Sequence, residues 1–150
     1  MDRTWQVWLV IAAFLIITPI FWTRIIYLMA RLSGWLELAK LYPGPASMQG
    51  EVCRYSSARF RMFVSYNRNL TITLSPAGIH IRPMMLFRTR HMPLLIPWEA
   101  VIKLEQKGLA LFPMLDATVK TDDPARPATI TFYGRQLVGA LQRHGASHGV

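Results

Sequence analysis

The side chains best suited to chemistry in this 150-residue chain are its arginines. Arg59, Arg61, Arg82, Arg88 and Arg90 fall on the polar phase of alternating segments and in the loop Arg88-Thr89-Arg90-His91. A guanidinium presents a planar fork that pairs bidentately with phosphate or carboxylate. The group therefore points to an anionic surface, either lipid headgroups or an acidic protein. Eight basic residues lie between positions 40 and 90, opposed by Glu51 alone, whereas six basic and five acidic residues share 91–150. The formal charge of +9 thus belongs largely to one half of the chain. A second reading stays open for the cluster: a solvated face that follows from membrane topology.

Catalytic chemistry finds little support. Asp122-Asp123 are the only adjacent carboxylates, and they sit in a Pro-flanked polar loop. A general acid/base pair needs carboxylates in unlike environments, so a solvated loop is the simpler reading. His144 and His148 have the four-residue spacing of metal ligands on a helix, but the intervening Gly145 argues against a helix and no further ligands are visible. Cys53 has no histidine partner and reads as a small strand hydrophobe rather than a nucleophile. No phosphate-binding glycine loop or nucleophile elbow occurs. The expectation is no catalytic residue, no metal, no cofactor and no nucleic-acid partner.

The elements that must position the arginines begin with the least polar stretch. Trp5 to Trp22 carries no charge and spans roughly 27 Å as a helix, close to a bilayer's hydrocarbon thickness. Trp5 and Trp8 at one end, and Phe21 and Trp22 at the other, are the residue types that anchor at headgroups. Pro19 sits near the end, where a kink is tolerable. Ala30 offers the only nearby cleavage site and bulky residues precede it, so a retained anchor is expected over a cleaved signal. Asp2 and Arg3 cancel before the span, while Arg24, Arg31 and Lys40 follow it. The positive-inside rule then places the C-terminal side in the cytoplasm. The expected location is a bacterial inner (plasma) membrane, single-pass, and the free Cys53 fits a reducing compartment.

Residues 24–42 continue with helical apolar spacing. Either the helix runs on as a stalk, or it bends at Ser33-Gly34 and lies along the interface with Trp35 dipping in. Tyr42-Pro43-Gly44-Pro45 ends it, and 43–48 reads as a linker. The predicted division is 1–42, span and juxtamembrane helix, and 43–150, a β domain.

From residue 49 the period becomes two. Phe60, Met62, Val64 and Tyr66 alternate with Arg61, Phe63 and Ser65; Asn67-Arg68-Asn69 reads as a turn. Leu70, Ile72 and Leu74 follow, then a turn at 75–78, then Ile79 and Ile81. Further strands are expected at 50–56, 84–88, 94–96, 100–106, 114–120 and 127–132, bounded by Pro and Gly. Arg61, His80 and Arg82 would form one outward stripe. Met84 to Phe87 read as core, with an exposed apolar surface at Met84–Phe87 or Met92 as the other reading. Trp98 reads as a core anchor. Leu137, Val138 and Leu141 mark a short helix after Gly134, with Gly145 to Val150 frayed.

About seven strands closed by one helix give a mainly antiparallel β domain that resembles the pleckstrin-homology superfold, with a lipocalin-like barrel or open meander as the alternative. The segments GWLELAKLYP at 34–43 and HMPLLIPWEAVIKLE at 91–105 together resemble small membrane-anchored bacterial proteins, in which W-x-x-L-A-x-x-Y-P precedes a β-rich module containing P-L-L-I-P-W. That resemblance implies no assigned activity. The expected function is a non-catalytic docking module that binds membrane lipids or a protein partner. The alternative is an accessory subunit of a larger membrane protein complex, with Ala12-Ala13 aiding helix packing.

Overall fold

The computed structural model describes residues 2–61, 64–88 and 90–150. The expectations for Met62, Phe63 and Thr89 lie outside them. Helix α1 runs Thr4–Leu32, and its apolar 18-residue window is long enough to cross a membrane. It ends at Ser33, and Gly34 takes a left-handed conformation (φ 76°) before helix α2, Trp35–Leu41. An L side chain at that φ is strained, so Gly34 sets the corner between the helices.

Seven antiparallel strands follow: β1 Glu51–Phe60, β2 Val64–Ser75, β3 Gly78–Pro83, β4 Leu94–Ile96, β5 Val101–Leu109, β6 Phe112–Val119 and β7 Ala128–Tyr133. They form one curled sheet of order β4-β3-β2-β1-β7-β6-β5, a half-barrel closed by β1 on β7 and open between β4 and β5. Helix α3, Arg135–Ser147, buries Leu137, Val138, Ala140 and Leu141 in the hollow. The inward phase of the strands supplies Phe60, Tyr66, Leu70, Ile72, Leu74, Ile79, Ile81, Leu115, Val119, Ile130 and Phe132, all essentially inaccessible. The N-terminal helices share this core, because Ala30, Trp35 and Leu38 belong to the same cluster.

Several expectations need correction. The period of two across 60–66 hides a hairpin: Phe60 pairs with Val64, and Arg61 turns with positive φ. Asn67-Arg68-Asn69 is no turn but the interior of β2, where Arg68 has φ 54° and its N–H is held by the Ser57 hydroxyl. Turn-forming side chains here mark an irregularity within a long strand. The strand expected at 84–88 is a 3-10 turn at Met85–Phe87. The tail is helical through Ser147 because Gly145 lets the helix approach β5; a Cβ there would stand 2.5 Å from a Leu104 methyl. Trp98 is a core anchor as expected, its indole N–H on the Ser75 carbonyl at 2.8 Å.

The linker does not hang free. Pro43 bridges to Leu94, the Gly44 N–H donates to Pro93, and the Leu95 N–H donates to Tyr42. The outer edge of β4 is therefore covered. The Tyr42 hydroxyl reaches across the opening to the Lys120 carbonyl at 2.6 Å.

Candidate functional site

The loop between β3 and β4 lies against the C-terminal third of α1. Ile26 and Ala30 are fully buried there. The Trp22 indole N–H donates to the Leu86 carbonyl (3.3 Å), and its ring stands 5.9 Å from Phe87. The Arg90 guanidinium lies over Tyr27 at 5.4 Å. Outward from this contact point Met84, Met85, Leu86 and Met92, with Met85 77% exposed and both Leu86 and Met92 68% exposed. Arg88 and Arg90 flank them, both exposed. Met84, Met85 and Leu86 are thus surface and not core, whereas Phe87 is half-buried, its ring between Trp22 and His91.

Behind the loop is an aromatic box. Trp35 packs on Phe60, Tyr66 and His91 at centroid distances of 4.9, 5.5 and 5.0 Å. Its indole N–H donates to the Met92 carbonyl at 2.8 Å. Trp35 therefore enters the domain interior rather than the interface. His91 Nε2 lies 2.6 Å from the Tyr66 hydroxyl, which contacts Ser33 Oγ, which donates to the Ala30 carbonyl. One directed chain satisfies these contacts: His91 N–H to Tyr66, Tyr66 to Ser33, Ser33 to Ala30. It ties loop, sheet and helix corner together and leaves His91 Nδ1 unpartnered. Burial pushes the Tyr66 phenol up to about 12, with the Ser33 bond opposing. Burial drives His91 down to about 4.

The five arginines do not form one patch. Arg88 and Arg90 are on the loop beside α1. Arg82 donates to the Ala46 carbonyl under the linker (3.2 Å), and its neighbour on the same face, His80, is buried with Nε2 2.7 Å from the Pro45 carbonyl. The outward stripe of Arg61, His80 and Arg82 is therefore absent: the 43–48 segment folds over that face. Arg61 pairs with Glu37 at 2.6 Å. Arg59 lies over Tyr133 at 6.0 Å.

Arg59 and Arg61 line a groove of about 900 Å³ between α2, the outer face of β6 and β7, and the 121–127 loop. Its charges balance: Arg59, Arg61, Lys107 and Arg126 against Glu37, Asp116, Asp122 and Asp123. Burial opposes ionisation of Asp116, but the Lys107 ammonium at 2.8 Å and the Thr131 hydroxyl outweigh it and hold the carboxyl below its usual range. Outside the groove, His144 and Arg143 of α3 both reach Glu51 at 2.9 Å. The His144 and Arg143 hydrogen bonds lower the Glu51 pKa. Cys53 is buried, which raises its thiol pKa. No group of three metal-ligating side chains occurs among the described residues.

Sequence reasoning missed the box around Trp35 and its relation to α1. One signal pointed there. The two segments behind the resemblance, 34–43 and 91–105, meet through residues 91–95, Trp35 on His91 and Met92, Tyr42 and Pro43 on Leu94 and Leu95. They are two sides of one seam. Comparison of the chain with protein-family models, with curated proteins and with solved structures finds no match.

Proposed function

We propose that the chain is a single-pass membrane protein whose pleckstrin-homology-like half-barrel docks on the anionic leaflet where its helix emerges. The observation that carries this reading is the Trp22–Leu86 contact. Trp22 is the aromatic end of the apolar span, so its partner loop shares its depth, and exposed Met84, Met85 and Leu86 meet the acyl boundary. Arg88 and Arg90 then stand at headgroup level, where each cation adds about 1 kcal/mol on an anionic leaflet. The meander order, its closure by β1 on β7 and the helix in the hollow support the pleckstrin-homology likeness. Retention of the anchor is supported by Ala30, which lies within α1 and inside the domain core. The excess of Arg and Lys after the apolar helix supports a domain on the cytoplasmic side of a bacterial inner membrane.

The test is the mass of the mature chain together with a reporter fused after Val150. The reading expects an intact N-terminus, resistance to alkaline extraction and a reporter active only in the cytoplasm. Loss of the first 30 residues, or activity in the periplasm, contradicts it.

A second reading, an accessory subunit of a membrane complex, is favoured by a different feature. The tip of the β5–β6 hairpin presents Leu109, Leu111 and Phe112, each about three-quarters exposed. Clustered apolar exposure of that kind marks protein contacts.

A further inference from the structure

We infer that the groove beside α2 binds a small amphiphilic anion, one carboxylate or phosphate on a short apolar body, with Arg59 as its anchor. Arg59 begins a row across the outer face of the sheet. It stands opposite Thr131 on β7, and Thr131 stands opposite Asp116 on β6. An arginine in that row would ordinarily pair with the carboxylate. Here both Asp116 oxygens are engaged, Oδ1 by the Thr131 hydroxyl at 2.7 Å and Oδ2 by the Lys107 ammonium at 2.8 Å. Glu37, the acid on the α2 wall, is taken by Arg61. Arg59 is half-buried, and its Nε is inaccessible and without an acceptor among the described residues. The Tyr133 ring, 6.0 Å from the guanidinium carbon, holds the planar group in place. A guanidinium carries five donors in a fixed fork, and partial burial without acceptors is unfavourable. The terminal nitrogens are not shut off as Nε is, and Arg59 lines the groove, so an anion that enters meets them.

The rest of the groove defines what accompanies the anion. Its volume of about 900 Å³ lies within the range of small-molecule sites, roughly 300–1,000 Å³. Leu41, Met114 and Ala128, all half-buried, give it an apolar wall. Apart from Arg59, its charges are three cations against four acids: Arg61, Lys107 and Arg126 against Glu37, Asp116, Asp122 and Asp123. A ligand with several negative charges is therefore repelled, and the unpaired guanidinium matches a single anionic head. The groove differs in this from the Arg88–Arg90 loop, which no acid offsets in the same way.

Hexanoate and hexyl phosphate carry the two heads on one body and serve as probes. The full chain in nanodiscs of zwitterionic lipid is dialysed to equilibrium against each labelled probe, with empty nanodiscs as the blank. The site predicts saturable uptake of one molecule per chain, and the tighter probe tells carboxylate from phosphate. Acetate and inorganic phosphate, which lack the body, and hexanamide, which lacks the charge, should bind about tenfold more weakly or worse. Arg59→Gln should weaken binding by about tenfold or more. Arg88→Gln with Arg90→Gln should leave it unchanged, which separates the groove from the docking loop. Uptake of both probes no greater than the blank, uptake of hexanamide equal to that of the anions, or equal binding by Arg59→Gln and the unmodified chain overturns the inference. The hexanamide comparison needs no substitution and so decides the matter even where Arg59→Gln fails to fold.

Discussion

Trp35 is the residue on which most of the arrangement converges. It is fully buried, touches three aromatic rings and bonds the Met92 backbone. Truncation to alanine removes a large core side chain and should cost about 3–5 kcal/mol, read as a lost or strongly lowered thermal transition. An unchanged transition would show that α2 does not dock. His91 predicts a pH effect with a defined sign. Its folded pKa of about 4 lies below the ordinary 6.5, so above 6.5 the group is neutral in both states and contributes nothing. As pH falls below 6.5 the unfolded chain takes up a proton that the folded chain refuses, and stability falls by up to about 1.4 kcal/mol per pH unit until about pH 4. His91→Gln should flatten melting temperature against pH between 6.5 and 4.5; an identical slope in both proteins contradicts the assignment. Among the arginines, Arg88→Gln with Arg90→Gln should weaken docking of the loop on anionic vesicles by about 2 kcal/mol, roughly thirtyfold. Folding should barely change. The effect should fade in high salt, whereas an effect independent of salt would mean that the two side chains act by packing.

At the scale of elements, the corner at Gly34 joins helix to sheet. Its φ of 76° and the Arg61 guanidinium 2.7 Å from where a Cβ would stand make Gly34→Ala costly by about 1–2 kcal/mol, measurable as a lower melting temperature. No loss would mean that the corner can relax. The positions of β3, β4, β6, β7 and α3 were legible because short alternating runs were punctuated by Pro and Gly: Ile79 and Ile81, the 94–96 run, and Leu137 with Val138 and Leu141. The start of β2 was not legible, because the polar Asn67-Arg68-Asn69 run imitates a turn while the strand bulges through it. Nor was the reach of α3, because Gly145 reads as a breaker and instead permits close contact with Leu104. The bend at Ser33-Gly34 was readable from the glycine; the destination of Trp35 was not, since an indole suits an interface and a core equally.

The whole molecule joins a single apolar helix to a half-barrel through a shared core, and so fixes which loop faces the helix's aromatic end. Period and charge showed an apolar N-terminal helix, a β domain and a surplus of arginine. They could not show that the arginines separate into a loop pair, a linker-bound residue and a balanced groove, because that depends on how the sheet curls and where 43–48 crosses it. The docking reading turns on the membrane depth of the β3–β4 loop. It is tested most directly by an environment-sensitive fluorophore on Met85→Cys in the full chain, reconstituted in anionic vesicles with nitroxide lipids at shallow or deep positions. A second label on exposed Ser147→Cys in α3 serves as reference. A docked loop gives strong quenching at Met85 by the shallow nitroxide, weaker quenching by the deep one, and none at Ser147. A Met85 label that stays in water and unquenched by either lipid would contradict it.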